Sequence, residues 1–536
     1  MHRNPRLCRR GRSYAAFALL LLLPGIGFAQ VAGQHGAAPD STPGNTREQR
    51  AARALEAARG NPLALREYLV RMPKGADLHN HLSGAVYAES WIRAAAEDGL
   101  CVTVASPSFS KLPAAVDSGA GERTCGNGKV PASQAYKDQH LFDALVDAFS
   151  MRGFVASAGV TGHDHFFDTF AKFSGTDARH TGEWLDEVAN RAARQNEQYL
   201  ELMVTPPYSK TTDLVKQMVW QEDFGRMRDA LLAGGLRDDL KAAHDFFDQA
   251  EAVRQEREHC GASDAAPACR VEIRYIYQVS RGAAKEKVFA QTVLGFEVAA
   301  SDSRMVAINY VQPEDGYVSM TDYALHMRIV GFLRGAYPQV HVSLHAGELA
   351  PGLAPFEGLC CHVRLAVEQA HAERIGHGVD VMYEDRPYEL LKEMAAKHVL
   401  VEINLTSNDL ILGISGKDHP LPLYRKAGVP VALSTDDEGV SRIDLTHEYV
   451  RAVETFELHY GDLKQMVRAG LAHSFLPGES LWRDGDSYVR AAEACSKDAI
   501  GGDRPSAGCA AFLNSSAKAK QQWELERRFR VFEAGF

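Results

Sequence analysis

The stretch VHVSLHAGE at residues 340–348 is a short apolar run that ends in ionisable residues, and this pattern indicates the fold class. The same pattern recurs along the chain, and segments with helical spacing separate most of the runs. Short strands that alternate with helices are typical of an α/β fold whose parallel strands close into a (β/α)8 barrel of the TIM type. The eight predicted strands span residues 76–82, 199–205, 271–279, 305–311, 340–345, 374–377, 399–404 and 429–434.

Further segments flank and interrupt the predicted barrel, which spans residues 72–480. Insertions at about residues 90–136 and 211–268 follow the first and second strands. Residues 30–71 are predicted to hold a flexible N-terminus and short helices, with a break at Gly60-Asn61-Pro62. Residues 481–536 are predicted to form a loop and a helix, which packs either against a second subunit in a homodimer or on its own barrel.

The first 29 residues have the features of a secretion signal. Five arginines precede an apolar segment at residues 15–28, and the sequence GFA at residues 27–29 offers small residues where a signal peptidase cuts. We therefore expect cleavage after Ala29 and a secreted or periplasmic protein. The alternative is an uncleaved anchor helix, although Pro24 and Gly25 interrupt the apolar segment.

The number of cysteines agrees with the predicted export of the protein. Removal of Cys8 with the signal leaves eight of the nine cysteines. An even number of cysteines in an exported protein is typical of disulfide bonding. Cys360 and Cys361 are neighbours in sequence, and they form either a vicinal bond or two free thiols. The other six are predicted to pair locally as Cys101–Cys125, Cys260–Cys269 and Cys495–Cys509.

The charge balance narrows the class of ligand, since 59 Lys and Arg face 69 Asp and Glu, for a net charge of -10. Counterion release at a nucleic acid needs clustered cations, so this balance argues against a nucleic-acid partner. After signal cleavage, no remaining stretch of the sequence is apolar enough to predict membrane insertion. A small nucleoside remains compatible with the composition.

The most informative local motif is Asp77-Leu78-His79-Asn80-His81-Leu82. Residues i and i+2 of a strand project to the same face, so both imidazoles can reach one cation from the end of a single strand. The alternative is a pair of pore-lining or surface histidines. A second such pair, His163-Asp164-His165, precedes an apparent helix start, and we interpret it as a cap or a pocket wall rather than a ligand pair.

Three further strand ends carry ionisable groups and strengthen the first motif. His345 ends one strand and Glu348 follows it, His377 is flanked by glycines, and a pair of carboxylates follows the last predicted strand. Each group alone has a structural explanation, such as a helix cap or a buried histidine. Active sites of barrel enzymes lie at the C-terminal ends of the strands, where all of these groups fall.

Three histidines and one carboxylate suit a single zinc ion, which accepts nitrogen and oxygen ligands. Bound zinc lowers the pKa of its water to roughly 7. Glu348 is then placed to transfer a proton and His377 to orient the attacking oxygen, while Asp437 faces the ligand as a hydrogen-bond partner. The residues therefore predict hydrolytic attack on an electrophilic carbon. The predicted metal ligands are His79, His81, His345 and Asp436.

Four motifs together resemble the adenosine deaminases of the metal-dependent amidohydrolase superfamily, and most of all the secreted, growth-factor-type members. The motifs are MPKGADLHNHL at residues 72–82, SLHAGE at 343–348, RIGHG at 374–378 and LSTDD at 433–437. The resemblance implies a barrel with one Zn²⁺ per chain that converts adenosine or a related 6-aminopurine nucleoside to the inosine-type product and ammonia. It also implies that Glu348 protonates the purine at N1, that Asp437 contacts the purine, and that Phe167 and Phe170 close over the site.

Several positions that contact substrate in this family depart from its pattern. Ser83 stands where many members have an Asp that contacts ribose, and Gln312 stands where a Gly is usual. Ser407 matches the family, but the Cys-Pro that normally precedes it is missing, and Glu438 replaces a Pro. Ser83, Gln312 and Ser407 are therefore candidate substrate contacts whose identity leaves the preferred aminopurine open. The remaining alternatives are an exported amidohydrolase acting on an amide or cyclic imide, and a non-catalytic exported binding or signalling protein.

Overall fold

The computed structural model describes residues 46–112 and 125–536. The predicted signal peptide and the first part of the predicted flexible N-terminus lie outside the described residues. Two N-terminal helices follow, Arg47–Ala58 and Pro62–Arg71, and the break between them falls at the predicted Gly60-Asn61-Pro62. The side chain of Asn61 caps the second helix by accepting the backbone N–H groups of Leu63 and Ala64.

Eight parallel strands form one sheet, and each strand pairs with the next along the chain. Strands of this kind are buried on both faces, which explains why the sequence shows continuous apolar runs. Every residue of the first two strands is buried. We number the strands one to eight in chain order: Gly75–His81, Glu197–Val204, Glu272–Ser280, Met305–Val311, His341–Ala346, Arg374–His377, Leu400–Ile403 and Val431–Leu433.

The first and eighth strands meet just beyond the end of strand eight, at an isolated parallel bridge between Asn80 and Asp436. The backbone N–H of His81 donates to the carbonyl of Asp436 at 3.1 Å, and the N–H of Asp436 donates to the carbonyl of His79 at 2.8 Å. The sheet is thus a nearly closed barrel. This confirms the predicted α/β class and the (β/α)8 TIM-type architecture.

Helices connect the strands and cover the outside of the barrel, as the βαβ pattern requires. The segments predicted from helical spacing form helices at Thr181–Arg194, Tyr323–Ala336 and Pro387–Lys397. The other connecting helices are Leu82–Ala85, Ala88–Glu97, Gln139–Ala148, Gly162–Lys172, Ser209–Val215, Phe224–Ala233, Asp238–Arg257, Lys285–Ser301, Tyr317–Thr321, His362–Glu368, Leu405–Leu412, Leu421–Ala427, Glu438–Ser441, Leu445–Phe456 and Tyr460–Ala472. Short 3-10 helices lie at Ala132–Tyr136, Ala178–His180, Pro267–Arg270, Phe356–Gly358, Val381–Tyr383, Gly416–Asp418, Gly485–Ser487 and Glu493–Cys495.

The chain after strand one contains a small antiparallel sheet, and the chain after strand two contains three additional helices. The small sheet is made of Cys101–Thr103, Ser108–Ser110 and Lys129–Pro131. All three predicted local disulfides are formed, namely Cys101–Cys125, Cys260–Cys269 and Cys495–Cys509. The sulfurs of Cys360 and Cys361, for which the sequence left two states open, are also bonded to each other.

The C-terminal region ends in the helices Ala507–Ser515 and Ala517–Ala534. The last helix docks on its own chain: Glu533 accepts a hydrogen bond from the hydroxyl of Tyr460 at 2.9 Å and pairs with Lys464 at 2.7 Å. The face it buries includes Phe529. Of the two predicted roles of this helix, packing on its own barrel is the one seen here, while a homodimer stays a prediction. In the described part of the chain, no helix combines the length and apolar character that a membrane span requires.

Candidate active site

Four predicted ligand atoms converge where strands one and five end and just beyond the end of strand eight. Nε2 of His345 lies 3.1 Å from Nε2 of His79 and 3.2 Å from Nε2 of His81. Oδ1 of Asp436 lies 3.4 Å from Nε2 of His79 and 3.3 Å from Nε2 of His81. All four side chains are buried. The structure therefore brings the complete predicted ligand set together.

The opposite nitrogen of each of these imidazoles is hydrogen-bonded to an oxygen acceptor. Nδ1–H of His79 donates to Glu402 at 2.6 Å, and Nδ1–H of His81 donates to Gln278 at 2.6 Å. Nδ1–H of His345 donates to the side-chain oxygen of Asn309 at 2.8 Å. With the proton on Nδ1, each Nε2 can offer its lone pair to a bound cation, and partners of this kind are typical of metal-binding histidines.

This donor set fits a zinc ion. Tetrahedral ligands about 2.0–2.2 Å from zinc lie roughly 3.3–3.6 Å from one another, close to the observed separations. Three lone pairs and a carboxylate without an intervening proton repel one another unless a cation lies between them. The other oxygen of Asp436 accepts the hydroxyl of Ser407 at 2.7 Å, which fixes the orientation of the carboxylate.

The charges around this cluster also favour a cation. Burial alone opposes charge on His79, but hydrogen bonds and attraction from Asp436 and Glu402 outweigh it and raise the pKa of His79 to about 10. Burial and the neighbouring imidazoles lower the pKa of His345 well below its ordinary value. The cluster thus favours one proton on His79 but disfavours a second one on His345. Metal binding is expected to release the proton of His79.

Glu348 and His377 lie beside the predicted ligands, with Oε1 of Glu348 3.7 Å from Nε2 of His377. Burial, and then the negative charge of Asp436, raise the pKa of Glu348 well above its ordinary value, which favours the neutral carboxylic acid. Burial lowers the pKa of His377 to about 3, so this imidazole is neutral. Its Nδ1 accepts the side-chain N–H of Asn408 at 2.9 Å, which makes Nε2–H a donor and supports its predicted catalytic role. His377 also belongs to a group with His79, His345 and Asp436 whose ligand atoms lie within 4.8 Å of one another.

A cavity of about 450 Å³ opens onto this cluster. Phe167 and Phe170, from the helix Gly162–Lys172, form part of an apolar wall, and Glu348 and Asp437 lie on the polar side. Oδ1 of Asp437 is buried and has no hydrogen-bond partner among the described residues. The space that this oxygen occupies is available only because residue 84 is glycine, since a Cβ there falls 1.5 Å from Oδ1 of Asp437.

The predicted substrate contacts occupy different places around the cavity. Ser83, Gln312, Phe167, Phe170 and Asp437 line it. Gln312 adopts a φ of 86°, a left-handed conformation that favours glycine, the residue usual in the family at this position. Ser407, in contrast, lies behind the carboxylate of Asp436, to which it donates its hydroxyl. The roles of these residues in substrate binding stay predictions.

The second histidine pair forms neither the helix cap nor the wall of the active-site cavity that the sequence predicted, because Thr161 is the cap and neither imidazole lines that cavity. Thr161 caps the helix Gly162–Lys172, His163 pairs with Asp315 at 3.0 Å, and Nε2–H of His165 donates to the carbonyl of Ser150 at 3.0 Å. These imidazoles therefore have separate partners and share no ligand position.

Sequence reasoning missed the hydrogen-bond partners that orient the predicted ligands. Gln278, Asn309 and Glu402 lie on strands three, four and seven, far from the ligands in sequence. The available signal was a polar residue within an otherwise apolar run, as in Leu400–Ile403, which reads LVEI. A charged residue inside a buried strand needs a partner, and Glu402 has two besides His79, because it also accepts hydrogen bonds from Ser343 and pairs with Arg374.

Comparison with known protein families matches residues 179–482 to adenosine deaminase. The chain belongs to the adenosine deaminase family. This family is metal-dependent, in agreement with the donor set described above. The match contains His345, Glu348, His377 and Asp436, while the two histidines of strand one precede it.

Curated relatives of this family member match over a limited length. An adenosine deaminase of Clostridium perfringens is 36% identical over 139 residues, which are 26% of this chain and 39% of that protein. An adenosine deaminase of Shewanella loihica is 32% identical over 136 residues, or 25% of this chain and 38% of that protein. The chain therefore aligns with about two fifths of the length of these relatives.

Solved structures of deaminases are also similar. An adenine deaminase from Arthrobacter aurescens superimposes with a TM-score of 0.49 at 16% identity, covering 76% of this chain and 94% of that chain. An N6-mAMP deaminase from Arabidopsis superimposes with a TM-score of 0.48 at 18% identity, covering 77% and 96% of the two chains.

Proposed function

We propose that this family member is a zinc-dependent hydrolytic deaminase that converts a 6-aminopurine nucleoside to the 6-oxo product and ammonia. The observation that carries the proposal is the convergence of four ligand atoms next to a buried carboxylic acid on the wall of a cavity of about 450 Å³. Membership of the adenosine deaminase family supports the same reaction class. The single group of four ligand atoms supports one zinc ion per chain, with a fifth position left for the water.

The side chains divide the proton transfers of this reaction between them. Zinc, when bound, supplies a water that is nucleophilic at neutral pH. Glu348 donates its proton to the ring nitrogen N1, next to the attacked carbon C6, which draws electron density away from that carbon. The Nε2–H of His377 is available to donate to the incoming oxygen and to stabilise charge there. Water returns one proton to Glu348 and gives the other to the exocyclic amine, so that the oxygen stays on C6, N1 keeps its proton and the amine departs as ammonia. Asp437 holds the purine by hydrogen bonding.

The lining of the cavity favours a nucleoside or a free base over a nucleotide. No Lys or Arg belongs to the lining among the described residues, whereas the carboxyl groups of Glu348, Asp436 and Asp437 do. A phosphate group in this cavity lacks a cation to pair with, and the carboxylate of Asp436 repels it. The phenylalanine wall suits the flat purine or an apolar substituent on the sugar.

The experiment is to incubate zinc-loaded protein with adenosine, deoxyadenosine, methylthioadenosine, adenine and AMP and to measure ammonia. We expect release from at least one nucleoside and none from AMP. Glu348→Gln is expected to abolish turnover and to retain the metal, while Glu357→Gln, an exposed acid in the same loop, leaves activity unchanged. Absence of ammonia with every substrate refutes the proposal.

Two other outcomes correspond to the alternatives that the sequence left open. Hydrolysis of an amide or cyclic imide, together with two metal ions per chain, indicates a different amidohydrolase. Purine binding without turnover in the zinc-loaded protein indicates a non-catalytic binding protein. Strand four, Met305–Val311, contains no Lys to bridge a second metal ion, which supports the single-metal deaminase.

We also propose that the protein is secreted or periplasmic and belongs with the secreted, growth-factor-type deaminases. The four disulfides support an oxidising compartment, and the insertion after strand one supports the subgroup. Mass spectrometry of the exported protein is expected to find Gln30 at the N-terminus. An uncleaved N-terminus in the cell fraction contradicts this proposal, and sedimentation of the same sample tests the homodimer.

A further inference from the structure

Glu348 lies on a tight turn that the structure holds from behind. Strand five ends at Ala346, Gly347 follows with a φ of 77°, and Glu348 comes next. A Cβ at residue 347 falls 2.4 Å from the side chain of Asp380, so only glycine fits this turn. Since the turn begins two residues after the predicted ligand His345, its conformation sets the distance between the metal site and the acid.

The carboxylate of Glu314 accepts both backbone N–H groups of this turn. Its Oε1 accepts the N–H of Gly347 at 3.0 Å, and its Oε2 accepts the N–H of Glu348 at 2.9 Å. Such a bidentate, charge-assisted arrangement fixes two consecutive peptide planes at once. Glu314 is fully buried and has no role in contacting substrate, because it does not line the cavity.

His362 fixes Glu314 in turn. Nδ1–H of His362 donates to Oε1 of Glu314 at 2.5 Å. The ring of His362 stacks on the ring of Tyr323 with centroids 3.6 Å apart and planes 2° from parallel. The hydroxyl of Tyr323 donates to the backbone carbonyl of His362 at 3.0 Å, so both the ring and the backbone of this histidine are held.

The charge of Glu314 is also compensated inside the protein. Burial opposes ionisation, but the hydrogen bond from His362 and the positive charge of Arg281 outweigh it and lower the pKa of Glu314 to about 2. Arg281 lies 3.9 Å from Oε2 of Glu314 and donates to the backbone carbonyls of Gln312 and His345. The buried carboxylate is therefore a strong, permanent acceptor for the two N–H groups of the turn.

We propose that Glu314 and His362 are positioning residues, which hold the turn at Gly347 so that the acid of Glu348 meets the purine at the correct distance from the metal site. This inference rests on the proposed deaminase function. Neither residue touches the cavity, so their effect falls on the chemical step rather than on substrate binding. Displacement of a reacting group by about 1 Å costs roughly 100-fold in rate.

The test compares His362→Ala with His362→Asn, since the amide nitrogen of asparagine takes the place of Nδ1 and retains the hydrogen bond. We expect His362→Ala to lower kcat by roughly 100-fold with KM nearly unchanged, and His362→Asn to restore most of the rate. Glu314→Gln keeps the size but loses the charge and one acceptor, and is expected to lower kcat as well. The matched control is His341→Ala, because His341 pairs with Glu373 at 2.8 Å near the opposite ends of the strands.

A second readout is independent of turnover. Hydrogen exchange of a peptide spanning residues 344–350, followed by mass spectrometry, reports directly on the two N–H groups that Glu314 accepts. We expect faster exchange in His362→Ala and Glu314→Gln, and no change in His341→Ala or His362→Asn.

The outcomes separate this proposal from the proposed function. If the wild-type protein deaminates no purine, the function fails, and the exchange experiment still tests whether the turn is held. If the wild-type protein is active, unchanged kcat in His362→Ala overturns the positioning role. A fall in kcat without faster exchange of the peptide also overturns it, because His362 then acts by another route.

Discussion

Gly84 offers a direct test of how the cavity recognises its ligand, because a single added methyl group displaces one defined atom. In Gly84→Ala the new Cβ falls 1.5 Å from Oδ1, 2.3 Å from Cγ and 2.6 Å from Cβ of Asp437. Rotation of the carboxylate alone cannot relieve three contacts of this kind, so the whole side chain must move. The oxygen that faces the ligand is thereby lost.

The magnitude follows from the loss of one hydrogen bond to a buried acid. Such a bond contributes about 1.5–3 kcal/mol when one partner is charged, which corresponds to roughly 10- to 150-fold in kcat/KM. We expect the fall to appear in Gly84→Ala and, to a similar extent, in Asp437→Asn. Zinc content is expected to stay the same, since the three atoms nearest to the new Cβ all belong to Asp437, which is not a predicted ligand.

The assay is steady-state deamination of the best nucleoside together with metal analysis and thermal unfolding. Gly470→Ala is the matched control, because a Cβ at this helical glycine meets its nearest neighbours, Ala432 and Ala76, at an ordinary 3.8 Å. A Gly84→Ala protein that folds, binds zinc and keeps its kcat/KM within twofold of wild type refutes the role of Asp437.

Two further predictions concern the metal site and the acid stability of the fold. Glu402→Gln removes the charge that His79 donates to, and we expect a 10- to 100-fold weaker affinity for zinc in competition with a chelator; an unchanged affinity contradicts the orienting role. Burial lowers the pKa of His326 from its ordinary 6.5 to about 4, so the folded protein loses about 3 kcal/mol of stability as the pH falls through that interval. His326→Leu lacks this loss, so its urea midpoint is expected to fall less between the two pH values, and parallel pH curves for both proteins contradict the assignment.

The barrel was predictable because its strands are buried on both faces and therefore appear as continuous apolar runs. Strand four and strand six have the predicted bounds, and the others differ by a few residues at their ends. The motifs at the strand ends predicted the candidate metal site for a related reason. Parallel strands of a closed barrel bring all their C-terminal ends to one rim, so His79 and Asp436 meet although 356 intervening residues separate them.

The hydrogen-bond partners were not predictable, because contact between side chains of different strands depends on register and on which face each residue takes. Glu314 illustrates this limit: the sequence shows an acid near the end of strand four, but nothing in it pairs that acid with two N–H groups after strand five. Ser407 illustrates it again, since nothing in the sequence indicates that its hydroxyl donates to the predicted ligand Asp436. Local patterns identify which groups are present, and the packing decides what each group faces.

The isolated bridge between Asn80 and Asp436 has a consequence for the stability of the whole ring of strands. Within the described residues, this bridge is where the first and last strands meet, and it is shorter than any other join in the barrel. His79 and His81 lie on one side of it and Asp436 on the other, so a cation bound by all three links the two edges. Closure of the barrel and binding of the metal are then thermodynamically coupled. Chelation is expected to open the ring along this line first, and any mutation that loosens the ring elsewhere lowers the affinity for zinc without touching a ligand.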